Sequence, residues 1–212
     1  STTNGSIQIT DNANLNIDSS TVNGNLQAIK DNELTVTNSA QVNGNVTLNK
    51  NATYILKDQA VQVGNLSTLG NNRITLSNHA RLNGLLDLAT DSSIADITKS
   101  IINGNVRSTG RVNVNDASQI NGSVNLSNIG KMTIEHSQLT GNLTAQEYST
   151  YHLSYQSTHQ GNLILRDQAD SIVDDANLIG DAQLTHSAQL KFNNARFEHK
   201  ITGENTTHVT LN

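Results

Sequence analysis

Acidic and imidazole side chains are the first candidates for catalysis or metal binding in this sequence. The densest acidic region holds Asp167, Asp170, Asp174, Asp175 and Asp181, and such carboxylates can act as an acid–base pair or bind calcium. The seven histidines share no spacing typical of zinc ligands, and the glycine-rich nonapeptide of calcium-binding β-rolls is missing. We therefore expect solvated corners here, no metal ion or other cofactor, and a protein that is not an enzyme.

Aromatic and imidazole side chains are concentrated in the stretch EYSTYHLSYQSTHQ, residues 147–160. Tyrosine is favoured at recognition surfaces, and its ring can stack on sugars or bases. A candidate ligand patch for a glycan or a matrix protein therefore consists of Tyr148, Tyr151, His152 and Tyr155. Alternatively, Tyr151 fills an apolar position in the core. We expect His159 to be a hydrogen-bonded core histidine.

Asparagine is the third kind of candidate, with 31 of the 212 residues, and much of it flanks glycine. Directly before a glycine stand Asn23, Asn43, Asn83, Asn103 and Asn121. Directly after a glycine stand Asn25, Asn45, Asn65, Asn105, Asn142 and Asn162. Such residues are common in corners, but a long ladder of them can also pair with the same ladder on another molecule. These eleven asparagines are our candidates for self-association.

An internal repeat defines the elements that position these side chains. Its glycines are Gly5, Gly24, Gly44, Gly64, Gly84, Gly104, Gly122, Gly141, Gly161, Gly180 and Gly203, which are 18 to 23 residues apart. An apolar residue usually stands two positions before and two positions after the glycine, and Ala or Ser stands four before it. Gln62 and His159 are exceptions in the apolar column, and Val61 and Val63 indicate a local shift of register.

The phrase QVNGNVTLN, residues 41–49, is typical of a β-hairpin with an Asn-Gly turn. A hairpin would reverse the chain within each unit, yet the apolar alternation runs from Ala40 to Leu48 without changing phase. It would also not explain a small residue at a fixed offset in a repeat of about 20 residues. A parallel β-helix explains both, because equivalent positions then stack at the spacing of neighbouring strands.

The predicted fold is therefore all-β, a single-stranded parallel β-helix of about eleven rungs that covers residues 1–212 as one domain. The rod would be on the order of 50 Å long. Small residues would fit the sharp bends, and Asn-Gly would supply positive φ at its corner. Leucine-rich repeats and propeller blades differ from this pattern in both phrase and period.

Composition excludes several classes of partner. The formal charge is −5 without a basic stripe, so we expect no nucleic acid. No apolar run approaches the length of a membrane span, so this chain should not insert into a membrane, and no secretion signal is present. The absence of Cys fits the cytosol and also a chain that crosses an oxidising periplasm unfolded.

The run ITLSNHARLNGLLDLA, residues 74–89, and its siblings resemble the passenger domains of autotransporter adhesins from Gram-negative bacteria. More narrowly, they resemble the AIDA-type self-associating adhesins, and residues 190–212 are similar to the phrase before the C-terminal part of such passengers. The resemblance implies a right-handed, three-faced β-helix in a passenger fragment. It also implies export across the periplasm and outer membrane to the cell surface. Filamentous haemagglutinin-type exoproteins, with similar repeats, are the close alternative.

Three functional hypotheses follow. The first is a non-catalytic adhesin that mediates cell–cell aggregation or biofilm formation by homotypic association of its rod. The second is a lectin-like module that binds a host glycan or a matrix protein through the tyrosine and histidine patch. The third, more distant, is a β-helix lyase or hydrolase that acts on polysaccharide.

Overall fold

The computed structural model describes residues 1–212 as short strands without any helix. The strands form three parallel sheets of eleven strands each. One turn of the chain contributes one strand to each sheet, so every strand pairs with the strands one turn before and one turn after it. Val42, for example, lies between Val22 and Gln62. The predicted β-solenoid with three faces is confirmed.

Sheet 1 contains the strands that precede the repeat glycine, and each of them has only three residues. Their bounds are Thr2–Asn4, Thr21–Asn23, Gln41–Asn43, Val61–Val63, Arg81–Asn83, Ile101–Asn103, Gln119–Asn121, Gln138–Thr140, Thr158–Gln160, Asn177–Ile179 and Arg196–Glu198. Because successive strand residues point to opposite faces, the central residue of each strand points inward and the outer two point to solvent.

Sheet 2 follows the glycine, and sheet 3 completes the turn. The strands of sheet 2 are Ile7–Thr10, Leu26–Ile29, Val46–Asn49, Leu66–Leu69, Leu86–Leu88, Val106–Ser108, Val124–Leu126, Leu143–Ala145, Leu163–Leu165, Ala182–Leu184 and Ile201–Gly203. Those of sheet 3 are Asn14–Asp18, Glu33–Thr37, Thr53–Lys57, Arg73–Ser77, Ile94–Thr98, Arg111–Asn115, Lys131–Glu135, Thr150–Ser154, Asp170–Asp174, Gln189–Asn193 and His208–Leu211. Sheet 3 is thus the widest face.

The core is one continuous column of aliphatic side chains between the three sheets. Ala40, Val42, Val46 and Leu48 are all fully buried, so the inward phase runs through the Asn-Gly phrase as predicted and no hairpin forms. Gln62 is also fully buried, and it pairs in register with Leu82. The predicted register shift at this rung is therefore wrong: the backbone pairing persists, and a polar residue is accepted inside.

The corner between sheets 1 and 2, here called the glycine corner, needs glycine for a different reason from the predicted one. A side-chain carbon on Gly44 would lie 2.2 Å from the carbonyl oxygen of Gly24, and one on Gly104 would lie 2.1 Å from that of Gly84. Positive φ occurs at only some of these glycines, such as Gly64. The close approach of successive rungs is thus the requirement shared by the corner glycines from Gly24 to Gly180.

Positive φ is instead concentrated at the other two corners, and mostly at residues other than glycine. Asn38 and Ser39 adopt it between sheets 3 and 1, and Lys50 and Asn51 adopt it between sheets 2 and 3. Asn and Asp tolerate this left-handed conformation better than other residues with side chains, which explains why these corners are polar. We call the first of them the 3–1 corner.

The 3–1 corner occurs in two lengths. Five rungs use two residues with positive φ, namely Asn38–Ser39, Asp58–Gln59, Asn78–His79, Asp116–Ala117 and Tyr155–Gln156. Five others use a single residue, namely Ser19, Lys99, His136, Asp175 and Asn194. The shorter corner removes one residue from the rung and so accounts for much of the variation in repeat length. Short corners between long ones leave notches along this edge of the rod.

The last rung departs from the predicted repeat, because Gly203 does not lie at a glycine corner. Ala182 pairs with Ile201 and Leu184 pairs with Gly203, which places Gly203 inside a strand of sheet 2. His199, with φ of 110°, follows the sheet 1 strand and occupies the corner. The strand pairing with the preceding rung decides the position, and the residue type does not.

Candidate interaction surfaces

The asparagines before the glycine form hydrogen-bonded ladders on the outer face of sheet 1. Nδ2 of Asn43 donates to Oδ1 of Asn23 over 2.8 Å, and Nδ2 of Asn23 donates to Oδ1 of Asn4 over the same distance. We call Asn4, Asn23 and Asn43 the lower ladder. Asn4 was not among the predicted residues, although its position before Gly5 follows from the repeat.

A second ladder continues the same column after one interruption. Nδ2 of Asn103 donates to Oδ1 of Asn83, and Nδ2 of Asn121 donates to Oδ1 of Asn103, both over 2.9 Å. We call Asn83, Asn103 and Asn121 the upper ladder. Val63 separates the two ladders and lies half exposed between them. Over its first seven rungs the column therefore reads as three amides, one valine and three amides, and it continues with Thr140, Gln160, Ile179 and Glu198.

Each amide within a ladder keeps unused hydrogen-bonding capacity. An asparagine side chain has two N–H donors and an oxygen that accepts twice, and the ladder uses one of each at an interior position. Neighbouring rungs are about 4.8 Å apart. The outer face of sheet 1 therefore presents a regular row of donors and acceptors to solvent.

The asparagines after the glycine have a different role, because their oxygens bind the backbone. Oδ1 of Asn45 accepts the N–H of Asn65 over 2.8 Å, and Oδ1 of Asn65 accepts the N–H of Leu85 over 3.1 Å. The same contact recurs at the remaining members of the column, namely Asn25, Asn105, Asn142 and Asn162. These six side chains thus link successive rungs, and their amide N–H groups remain for a partner.

The predicted tyrosine and histidine patch is divided among the core, two separate corners and the outer face of sheet 3, where His152 lies at the centre of the strand Thr150–Ser154. Tyr151 is only 1% exposed, so the alternative that it fills a core position is confirmed. Tyr148 is 61% exposed and Tyr155 is 54% exposed, but they flank opposite ends of the strand Thr150–Ser154. A five-residue strand spans about 16 Å, so the two rings do not form one surface.

Two rungs carry a tyrosine and a polar residue at the same pair of core positions. Tyr54 occurs with Gln62, and Tyr151 occurs with His159. Nε2 of His159 donates to the carbonyl oxygen of Gly141 over 2.9 Å, and its ring meets Tyr151 edge to face. Burial lowers the pKa of His159 to about 4 and raises that of both tyrosines. His159 is therefore a neutral core histidine, as predicted.

The five aspartates of the acidic region do not converge. Asp170 is the first residue and Asp174 the last residue of one strand of sheet 3. Asp175 follows in the 3–1 corner, where it accepts a hydrogen bond from Asn194. Asp181 lies beyond Gly180 and accepts the N–H of Lys200. No group of three histidine, cysteine or acidic side chains lies close enough to hold a metal ion.

Two of the concave regions on the surface of the rod bear on the candidate sites. One, of about 790 Å³, lies over sheet 2 and the glycine corner, and Asn105 and Asn142 contribute to it. The other lies at the 3–1 corner, where a cavity of about 680 Å³ opens around Lys99. Sequence reasoning missed this second region. The signal was available, because the interval from the last apolar residue of sheet 3 to the Ala or Ser column is sometimes four residues and sometimes three.

The fold and its surface define a class: a three-faced parallel β-solenoid whose polar side chains stack in columns along the rod. Comparison with models of protein families, with curated proteins and with solved structures gives no match to this chain. None of its elements is a helix long and apolar enough to cross a membrane. Function is therefore inferred from the surface of the solenoid itself.

Proposed function

We propose that the protein is a non-catalytic adhesin of the bacterial cell surface. Its rod associates with a second copy on a neighbouring cell and so supports aggregation or biofilm formation. The observation that carries this proposal is the order of side chains in the column before the glycine, with the lower ladder, Val63 and the upper ladder in sequence. Over these seven rungs the order is the same from either end, so the two stretches can match when one rod is turned end for end. The four rungs from Thr140 to Glu198 then extend beyond the contact.

The geometry of such a dimer is specific. A two-fold axis parallel to the strands, passing at Val63, would lay the lower ladder of one rod against the upper ladder of the other. Val63 would contact the partner's Val63, and Val61 lies beside it on the same outer face. Apolar contacts at the centre with polar contacts around them are typical of protein interfaces.

The energy of this contact would be modest for a single pair of rods. A hydrogen bond between neutral groups contributes about 1 kcal/mol net, and association costs several kcal/mol in lost freedom. Six amides on each rod therefore favour a weak dimer in solution. Many rods on facing cells would hold the cells together, since each further contact forms at high effective concentration.

The cell-surface location rests on the resemblance of the repeat to autotransporter passengers, and the chain's composition is compatible with it. The chain has no cysteine, so no disulfide can form while an unfolded chain crosses the periplasm. Short-range pairing between successive rungs also suits a chain that emerges from one end, because each rung needs only its neighbour.

Sedimentation of the purified chain over a range of concentrations tests the proposal. The wild-type chain should form dimers reversibly as concentration rises. The double variant Asn43→Asp and Asn83→Asp places one negative charge in each ladder at positions that face each other across an axis at Val63, so the charges of facing ladders repel. We expect this variant to remain monomeric at every concentration at which the wild type dimerises.

A matched control adds the same charge elsewhere. Gln27 and Asn125 are exposed on the outer face of sheet 2, and the double variant Gln27→Glu and Asn125→Asp should dimerise like the wild type. A monomeric wild-type chain at high concentration would contradict self-association. Equal loss in both variants would show that net charge controls association and that the ladders do not.

A further inference from the structure

The notches of the 3–1 corner join into one groove along the rod. Three adjoining cavities of about 680, 320 and 450 Å³ share His136. The first lies at the short corner of Lys99, between the long corners Asn78–His79 and Asp116–Ala117. The others continue past Tyr155. We call this feature the corner groove; from His79 to Asn194 it spans seven rungs, or about 29 Å.

The first notch is cationic in a protein that is otherwise acidic. Arg81, Lys99, His79 and His136 line it together with a single carboxylate, Asp116. The cations that form ion pairs are Lys30, Lys57, Arg73, Arg107 and Arg196. Arg81 and Lys99 form no ion pair, and two cations beside the single carboxylate Asp116 leave a net positive charge that can contact an anionic group.

The middle of the corner groove offers a flat aromatic surface. The rings of His136 and Tyr155 are stacked with centroids 5.5 Å apart and an angle of 12° between their planes. Tyr155 is largely exposed, and such a ring can stack on the apolar face of a sugar. The third notch adds no free positive charge, since Asp175 lines it and Arg196 pairs with Glu198 over 2.6 Å.

We propose that the corner groove binds an acidic polysaccharide. Arg81 and Lys99 contact a sulfate or carboxylate group of the chain in the first notch, and the ring pair of His136 and Tyr155 supports a neighbouring sugar. An extended polymer fits because the groove is long, open and lined at regular intervals. A small anion would use the first notch alone and gain nothing from Tyr155.

This proposal goes beyond self-association and differs from the predicted lectin patch. It uses Tyr155 but neither the buried Tyr151 nor Tyr148 on the opposite corner. The corner groove and the asparagine ladders lie at opposite edges of sheet 1. Ligand binding to the groove can therefore be tested in variants whose ladders are intact.

Calorimetric titration with defined oligosaccharides tests the proposal on the full chain. We expect binding of a heparin-derived oligosaccharide or of an oligogalacturonate, and none of a dextran oligomer of the same length. The heparin and galacturonate arms distinguish sulfate from carboxylate recognition. Binding should weaken as salt rises, because the contacts are partly ionic and solvent-exposed.

Two variants locate the site, each with a matched control. The double variant Arg81→Gln and Lys99→Gln should weaken binding about fivefold to tenfold. Its control removes two exposed cations of sheet 3, Arg111 and Lys131, which are neighbours in register, by the same change to Gln. The variant Tyr155→Asn should weaken binding severalfold, whereas Tyr148→Asn should not affect it. Asn suits position 155, where φ is 51°.

The outcomes separate the possibilities. Retained binding in the Arg111 and Lys131 control, with loss in the Arg81 and Lys99 variant, supports the groove. Equal loss in both would show attraction by net charge alone and overturn it. Binding of sodium sulfate as tight as that of the heparin fragment, or an unchanged affinity in Tyr155→Asn, would reduce the site to a simple anion contact and also overturn the polysaccharide proposal.

Discussion

The two edges of sheet 1 are built by opposite rules. At the glycine corner the residue type recurs in almost every rung, because a side chain there would collide with the carbonyl oxygen of the rung before it. At the 3–1 corner the chain uses one or two residues of varied type, including Lys99, His136 and Tyr155. The constant edge fixes how rungs stack, and the variable edge is free to carry charged and aromatic groups.

The difference shows where a solenoid can change without losing its fold. A residue added at the 3–1 corner alters one turn and leaves the register of both sheets intact, as the pairing of Arg81 with Ile101 across two corner lengths shows. A side chain added at the glycine corner pushes two rungs apart. Ligand sites are therefore expected at corners of variable length, and self-complementary ladders at the constant one.

The largest expected effect comes from breaking the constant edge. Gly104→Ala would place a carbon 2.1 Å from the carbonyl oxygen of Gly84, and relief requires a backbone shift. We expect a loss of about 3 kcal/mol in the free energy of unfolding, measured by urea denaturation. Ser39→Gly at the variable edge, where φ is 61°, should change it by less than about 1 kcal/mol. Equal effects would remove the distinction between the edges.

The core between the two edges predicts a dependence on pH. Burial lowers the pKa of His159 from its ordinary value of 6.5 to about 4. Between these values the unfolded chain binds a proton that the folded chain does not, so stability falls as pH falls through this window. The loss approaches about 3 kcal/mol.

The variant His159→Leu isolates this contribution, because Leu139 and Leu178 occupy the same column in the adjacent rungs. Urea midpoints at about pH 7 and about pH 4.5 should differ less in the variant than in the wild type. An identical pH dependence would show that the surface carboxylates, and not His159, control acid stability.

A smaller effect tests the asparagines that follow the glycine. Leu85 interrupts their column, because its side chain has no oxygen to accept the N–H of Asn105 in the way that the side chain of Asn65 accepts the N–H of Leu85. We expect Leu85→Asn to stabilise the fold by about 0.5–1 kcal/mol and Asn65→Leu to destabilise it by about 1 kcal/mol. Thermal denaturation measures both. If neither variant shifts the midpoint, these contacts do not contribute to linking the rungs.

The smallest effect concerns the point where the two edges meet. Arg81 lines the corner groove and Asn83 belongs to the upper ladder, and both lie on the outer face of the same three-residue strand. An acidic oligosaccharide in the groove should therefore weaken the dimer severalfold, and sedimentation with added heparin fragment measures this. A dimer that is unaffected by saturating ligand would place the two sites on separate faces.

The period, the inward columns and the parallel solenoid could be predicted from the sequence because each column repeats many times, whereas the three faces were implied only by the resemblance of the repeat. The stacking of Val42 on Val22 and Gln62 follows once the repeat is aligned. The reason for the glycines could not be derived in this way, since it depends on a distance between rungs. The sequence pattern also favoured Gly203 for the last corner, where His199 lies instead.

The candidate sites were harder to predict, because a residue's face depends on the length of each corner. Tyr148, Tyr151 and Tyr155 are close in sequence, yet one is buried and the others lie at opposite corners. The eleven predicted asparagines fall into two columns with different hydrogen bonds. Only the geometry separates amides that bind each other from amides that bind the backbone.

Oxidative crosslinking at Val63 tests the central claim, a dimer with its two-fold axis at the middle of the ladders, most directly. The chain has no cysteine of its own, so Val63→Cys provides a single reporter. Controls are Leu69→Cys and Ile129→Cys, which replace exposed apolar residues away from this column. The account predicts a disulfide-linked dimer for Val63→Cys and none for the controls. Monomers for Val63→Cys at concentrations where the wild type dimerises, or equal crosslinking at all three positions, would contradict it.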